Sequence, residues 1–405
     1  MFKRASNFII LLLLLVSTFY GGFYFGKRGF NIEIKKNPPK ITVINREPKD
    51  QEVDFEIFWQ VWDSLNKKHI DRPLDAKKLV YGAVSGMVSS VGDEYTSFFT
   101  PPLNVVAKST LNGVYEGIGA ELGFKDKQLV IIAPLEGSPA EEEGITPGDK
   151  ILEIEGASTV GITLSDAVSK IRGTEGTVST LLIQTGENEP KEYKIVRRKI
   201  VSKSVSWKDL GDGIGYIRLA RFGDKTIDEW NKAVDELTSQ MPNLKGVVLD
   251  VRGNPGGYLS ASVYIASEFV KSGLVLYEET ADGTNVEYRV NREGKLVGKP
   301  VVVLVNSGSA SASEIVSGAL RDRLSAKLVG EKTFGKGTVQ GSEEYEDGSS
   351  LHVTIAKWLT PKKVWVHKVG LEPDFVVERK EEDVVKGLDL QLDKAKEIIK
   401  AQIKS

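Results

Sequence analysis

Val301–Val305 is an unbroken apolar stretch, and it runs straight into NSGSASASEIVSGAL, a loop of small residues followed by helical spacing. A strand with no polar alternation has to be covered on both faces. A small-residue turn that feeds a helix supplies one of those covers. The same succession recurs in GVVLDV followed by RGNPGGYLSASVYIASEFV, and IGYIRL and AKLVG are also strand-like. From about residue 211 onward the chain is therefore expected to build a layered α/β core.

The N-terminus obeys a different rule. Lys3 and Arg4 precede FIILLLLLVSTFYGGFYFG, residues 8 to 26, a run of 19 residues without a charge. That length can cross a bilayer as a helix. No small-x-small cleavage site follows, and Phe19, Tyr20, Phe23, Tyr24 and Phe25 crowd the far end as an interfacial belt would. An uncleaved anchor is favoured over a cleaved signal; Lys27 and Arg28 on the far side leave the orientation open. The expected location is the membrane, with the body outside the cytoplasm, in a periplasm or at the cell surface, or secreted if the segment is removed. The absence of cysteine rules out disulfides, Cys-ligated zinc, a thiol nucleophile and a Cys-linked lipid anchor. The only histidines, His69, His352 and His367, are scattered, so neither a catalytic metal nor another cofactor is implied. A formal net charge of -2 over 405 residues offers no broad basic surface for nucleic acid.

Between these ends the chain divides. Residues 1–26 are the anchor or signal, and residues 27–50, with KKNPPK and NREPKDQ, read as a linker. Residues 51–111 read as a helical region. There Phe55, Phe58, Trp59, Trp62 and Leu65 recur at three- and four-residue spacing. That stripe is expected to face a core, with a homodimer contact as its alternative use. Residues 112–198 form a small unit of short strands and two helices, the second capped by Thr163 or Ser165. Its YEGIGAEL and GSPAEEEGITPGDKILEIEG resemble a PDZ domain of the kind found in bacterial proteases. Gly117, Ile118, Gly119 and Ala120 stand where that family keeps its carboxylate-binding loop. Glycines there let consecutive N–H groups converge on a carboxylate while the adjacent strand edge pairs with an extended peptide. An ordinary glycine turn is the plainer reading of GIG alone. Residues 199–380 hold the α/β core, and 381–405 an amphipathic C-terminal helix. The whole is an α+β multidomain chain.

Two loops of the α/β core carry chemistry-bearing residues. Ser311 with Glu314 fits the capping box S-x-x-E, Ser309 could also cap, and capping is the leading reading of the local pattern. A serine nucleophile needs a base, and no histidine lies in a matching motif. A neutral lysine can serve instead. GEKTFGKGT, residues 330–338, offers Lys336. It is not a phosphate-binding loop, because Gly337 stands where a Ser or Thr would bind magnesium and no helix follows.

Taken together, FWQVWDSL, LVYGAVSGMVSSVGDEYTSFF, the PDZ-like stretch, DVRGNPGG, NSGSASASEIVSGAL, GEKTFGKGTVQ and GLEPD resemble the carboxyl-terminal processing, or tail-specific, proteases over most of residues 52 to 380. The resemblance implies a PDZ unit on a protease core similar to the crotonase fold. It implies that Ser311 is the nucleophile, Lys336 the base and Gln340 the residue that orients the lysine. The oxyanion would be held by the N–H groups of Gly257 and Ala312. Arg172 matches an arginine through which the PDZ unit supports the active arrangement. One departure is the missing glycine after TP in TPKKVWVHK, which touches a turn and not the catalytic set. The expected function is a membrane-anchored serine endopeptidase that captures the free C-termini of polypeptides and cleaves near them. Its rivals are a non-catalytic PDZ adaptor on a protease-like scaffold and an acyl-CoA enzyme.

Overall fold

The computed structural model describes residues 12–23, 30–36, 39–45, 55–125, 128–135, 137–146, 148–162, 164–380, 383 and 388–404. The chain separates into two compact units, Met1–Ala83 and Val84–Ser405.

In the first unit residues 12–23 are helical. The rest of the apolar run 8–26 lies outside the described residues. No helix among the described residues is long and apolar enough to cross a membrane. The expected linker is not featureless. Phe30–Lys36 pairs antiparallel with Pro39–Asn45, because Ile32 and Ile34, and Ile41 and Val43, alternate with polar residues at the strand period. The aromatic stripe does not enter a core: no residue of the helix Glu56–Lys68 is buried. Phe58 instead packs edge-to-face on Trp59, with ring centroids 5.0 Å apart, and stacks on Trp62 at 6.4 Å. Ile57, Phe58, Val61, Trp62 and Leu65 line an open apolar groove with Leu79 and Ala83.

The second unit starts with the segment that carries Ser97–Phe99 and the helix Pro101–Leu111, then the PDZ-like unit. There Lys191–Val196, Val178–Gln184, Lys150–Ile154, Gln128–Pro134 and Ala120–Lys125 form one antiparallel sheet in that spatial order. The inward positions of alternating strands, Leu129 and Ile131, Leu181 and Ile183, are fully buried with Ile151, Ile154 and Ile195. Helix Leu164–Ile171 closes the core through Ala167 and Ile171, one turn apart. Thr163, an expected cap, lies outside the described residues. Ser138 caps the short helix Pro139–Glu142, accepting the Glu141 N–H at 3.3 Å. Arg198–Val201 pairs back on Val114–Gly117, which carries the closing strand of this unit to residue 201 instead of 198.

The core sheet runs Val205–Asp209, Ile214–Leu219, Gly246–Asp250, Val301–Val305, Lys327–Gly330 and Phe375–Val376. All neighbours are parallel except the first pair. Every residue of Val301–Val305 is buried, as the lack of polar alternation requires. Val301, Val303 and Val305 pack with the helices Thr226–Gln240, Leu259–Ala266 and Ala312–Leu324. Val302 and Leu304 pack with Ala395 and Ile399 of the C-terminal helix Leu390–Lys404. A second, antiparallel sheet runs Asn285–Arg289, Leu274–Thr280, Ser350–Leu359 and Thr338–Glu344, with Ser97–Phe99 paired to Ser350–His352. The stretch after Lys336 is thus a hairpin, turned by Asp347, whose carboxylate accepts the Ser349 N–H at 2.9 Å.

Candidate active site

Both loops picked out in the sequence emerge from the carboxyl ends of adjacent parallel strands, Gly246–Asp250 and Val301–Val305, and they are tied directly to each other. The carbonyl of Asn254 accepts the Ala310 N–H at 3.0 Å and the Ser313 hydroxyl at 2.9 Å. The Asn254 side chain donates to the Leu219 carbonyl at 2.8 Å and accepts the Gly256 N–H at 2.9 Å. Ser309 donates to the Val251 carbonyl at 2.8 Å and accepts the Asn306 N–H at 3.0 Å. Ser309 and Ser313 are fully buried and committed to these bonds, whereas Ser311 is partly exposed.

Ser311 sits at φ 52°, ψ −115°, immediately before the helix Ala312–Leu324. A non-glycine residue held there costs roughly 1–3 kcal/mol and needs surrounding structure to hold it. That structure includes Glu314. Its buried carboxylate accepts the Ser311 N–H at 2.9 Å, and the Ser311 side chain faces the Glu314 N–H, so the expected capping box is present. The same carboxylate accepts the N–H groups of Gly335 and Lys336, each at 2.8 Å, and the Thr333 hydroxyl at 2.6 Å. Burial pushes its carboxyl above the ordinary range, and these donors pull the other way. Glu314 is therefore far more than a cap: it joins the backbone of the serine loop to the backbone of the lysine loop. The S-x-x-E pattern marked the residue, but nothing local marked its second set of partners.

The glycine turn also meets the serine loop. A Cβ on Gly256 would lie 2.8 Å from the Ser311 Cβ and 3.0 Å from the Ala312 nitrogen. One on Gly257, at φ 138°, would lie 2.1 Å from the Phe222 carbonyl oxygen. Only glycine permits that approach. Phe222 grips the turn from both sides, donating its N–H to the Gly256 carbonyl at 3.0 Å and accepting the Tyr258 N–H at 2.8 Å. Gly256 thus stands beside the N-terminus of the Ser311 helix, and Gly257 follows it against Phe222.

Lys336 is half-buried, and burial lowers its pKa, with the Asp93 carboxylate acting in the opposite direction. Its Nζ stands 5.0 Å from the centre of the Tyr95 ring. Phe334, two residues before the lysine, is 56% exposed. Gln340 makes no hydrogen bond to Lys336. Its amide donates to the Thr338 hydroxyl at 2.9 Å and the Thr354 hydroxyl at 3.3 Å. The cause is a register shift between Val339 and Gln340 that sets Gln340 opposite Thr354; such bulges re-aim side chains. Two histidines set aside as scattered come into this neighbourhood. His367 stacks on Trp365 at 5.0 Å and meets the Tyr95 ring edge-on at 5.9 Å. His352 is held below its ordinary pKa by burial and then by Lys336.

In the PDZ-like unit, Gly119 has φ 75°, and a Cβ there would lie 2.4 Å from the Ser138 Cβ. The carbonyls of Ile118 and Gly119 accept the N–H groups of Ala140 and Leu135 at 2.9 and 2.8 Å. Ala120 begins the edge strand of the sheet. Arg172 is not brought to the serine or the lysine. It donates to the Thr110 hydroxyl at 3.4 Å, and its guanidinium lies 4.7 Å from the centre of the Tyr115 ring.

A parallel-sheet core with a strained serine at a helix N-terminus, a glycine turn against it and a PDZ-like unit ahead of it defines a serine-type peptidase. Residues 213–377 match the model of peptidase family S41, and residues 109–184 match the PDZ domain model. The carboxy-terminal processing protease CtpA of Bacillus subtilis is 37% identical over 324 residues, 78% of this chain and 69% of that protein. The carboxyl-terminal-processing protease of Synechocystis is 35% identical over 386 residues, 93% of this chain and 89% of that protein. Among solved structures, the photosystem II D1 C-terminal processing protease aligns with a TM-score of 0.53 at 28% identity, covering 80% of this chain and 92% of that one. The chain belongs to peptidase family S41, as one of its PDZ-containing carboxyl-terminal processing proteases.

Proposed function

We propose that this protein is an endopeptidase in which Ser311 attacks the peptide carbonyl and Lys336 is the base. The Ser311 Oγ proton passes to the neutral Lys336 amine as the C–O bond forms. The tetrahedral oxyanion lies between the N–H groups of Gly257 and Ala312. When the C–N bond breaks, the lysine ammonium returns its proton to the leaving amine. Water, deprotonated by the same amine, then hydrolyses the acyl-enzyme. Gln340 completes the set on the family pattern, from a resting place on Thr338 and Thr354.

One observation carries this reading. Of the run's three serines, Ser309 and Ser313 have hydroxyls locked into buried bonds, and Ser311 is the accessible one. The full chain in detergent should be labelled by a serine-reactive phosphonate probe at Ser311, and Ser311→Ala should not be labelled. Labelling that persists in Ser311→Ala overturns the assignment. No labelling of wild type, with peptide still bound, favours the non-catalytic adaptor.

The glycine turn at Gly117–Ala120 and the free edge of Ala120–Lys125 support capture of a polypeptide C-terminus. Calorimetry should give tighter binding of a free-acid peptide than of its amide; equal binding rejects this role. Arg172 would relay occupancy through Thr110 and Tyr115. The neighbouring Leu111 carbonyl lies against Gly223, next to the Phe222 that grips the oxyanion turn. Arg172→Ala should lower turnover while leaving peptide binding intact, and unchanged turnover removes it from the mechanism. The uncharged run 8–26 supports an anchor that holds the body outside the cytoplasm. Native protein released by alkaline carbonate would reject that.

A further inference from the structure

The block VGDEYTSFF belongs to no part of the expected catalytic set, yet it reaches the base. Asp93 builds the turn: its carboxylate accepts the Tyr95 N–H at 3.2 Å and the Thr96 hydroxyl at 2.5 Å. The Thr96 hydroxyl in turn accepts the Thr354 N–H at 3.1 Å. Ser97–Phe99 then pairs with Ser350–His352, which ties this short segment to the hairpin sheet. Tyr95 is thereby fixed in place before Lys336 meets it. Its ring face lies against the Lys336 Nζ, 5.0 Å from the ring centre. His367 braces the same ring from a different segment.

We propose that Tyr95 is a positioning residue for Lys336, its ring face holding the lysine in the site and favouring the ammonium over the amine. This rests on the reading of Lys336 as the base. The physical reason is the ring quadrupole, whose negative face attracts a cation and does little for a neutral amine. The hold is therefore strongest on the charged resting form and weakens when the lysine gives up its proton to become the base. A hydrogen bond from a carboxylate in that place would favour the ammonium much more strongly; a ring steers the side chain at a smaller cost in basicity. The charged and titratable groups facing this pair are Asp93 and Glu94 from the same segment, Glu314 from the helix, His352 from the strand and His367 from the loop. All of them are retained when only the ring is changed.

The test compares Tyr95→Leu, which removes the ring, with Tyr95→Phe, which keeps it. For Tyr95→Leu, kcat should fall about tenfold at the alkaline plateau with KM changed little, because the amine is less well placed. The acid limb of its kcat/KM profile should move to lower pH by roughly half a unit, the size of one cation–π contact. Tyr95→Phe should restore both. A direct readout independent of turnover uses full chain labelled with ¹³C at lysine Cε, in a Ser311→Ala background. The Lys336 ε-methylene protons should be shifted upfield by the ring, should stay so in Tyr95→Phe, and should return to the ordinary lysine position in Tyr95→Leu. An unshifted Lys336 signal, or a limb and kcat unchanged in Tyr95→Leu, overturns the proposal even if Lys336 is the base. A shifted signal in an enzyme whose Lys336→Arg variant still cleaves peptides overturns the base reading and leaves the contact standing.

Discussion

The two halves of the site are held by opposite means. On the serine side every polar group beside Ser311 is spoken for: Ser309, Ser313, Asn254 and Glu314 form a buried lattice of hydrogen bonds at 2.6 to 3.0 Å. On the lysine side only the backbone is tied, through Glu314 to the Lys336 N–H and through the Trp358 indole to its carbonyl. Among the described residues the Lys336 side chain has a ring face and no hydrogen bond. On the proposed roles of Ser311 and Lys336, the contrast follows from the chemistry of each half. An oxyanion site works by being in place before charge develops. A base has to change charge and pass a proton in two directions, so a rigid ionic partner would hinder it.

The sharpest challenge to this contrast is to remove the reacting groups. Ser311→Ala should lower kcat/KM by roughly 10⁴-fold or more with the fold intact, read by peptide cleavage alongside circular dichroism. Lys336→Arg should be as inactive at every pH, since arginine stays charged. Wild-type kcat/KM should rise with pH through one limb, because the neutral amine is the active form. That limb should lie below the ordinary lysine value of about 10.4, because burial favours the amine. A limb at or above that value would break the account of the lysine side.

Next in size comes the rigid half. Gly257→Ala places a methyl group 2.1 Å from the Phe222 carbonyl oxygen and must displace one oxyanion donor. Loss of a single such donor is worth on the order of 10²–10³ in kcat. Loss expressed mainly in KM would mean that Gly257 binds substrate and not the transition state. Glu314→Gln turns an amide NH₂ toward a cluster of N–H donors. It should lower stability by about 1–3 kcal/mol and activity by more than tenfold, measured by denaturant melts and turnover on the same sample. Activity preserved at lowered stability would confine Glu314 to holding the fold. Ser309→Ala should have the smallest effect, about 1 kcal/mol of stability with cleavage within a few-fold of wild type. A collapse of activity there would undo the distinction between the serines.

Much of this was legible residue by residue. The glycines of RGNPGG, the Ser311–Glu314 spacing and Lys336 lie in short contiguous motifs, and chain geometry alone brings such residues close. The PDZ-like unit was legible because YEGIGAEL and GSPAEEEGITPGDKILEIEG resemble contiguous stretches of that family. The aromatic stripe at Phe58, Trp59 and Trp62 misled, since helical spacing says which face is apolar and not whether anything covers it. The present partners of Gln340 were not legible, because a register shift in the ladder turns its side chain toward Thr338 and Thr354 and no local signal announces the shift.

The sequence by itself determined the classes of chemistry and where they could stand. The lack of cysteine excluded a thiol, the family resemblance pointed to a serine with a lysine, and the unbroken apolar Val301–Val305 required a sheet covered on both faces. Only the tertiary structure decided which serine is exposed and what lies against Lys336. A hydroxyl's freedom depends on the carbonyls brought to it from elsewhere, as Val251 is to Ser309 and Asn254 to Ser313. An amine's charge depends on burial and on the ring beneath it, and Tyr95 is delivered to Lys336 by a strand pairing between residues about 250 positions apart.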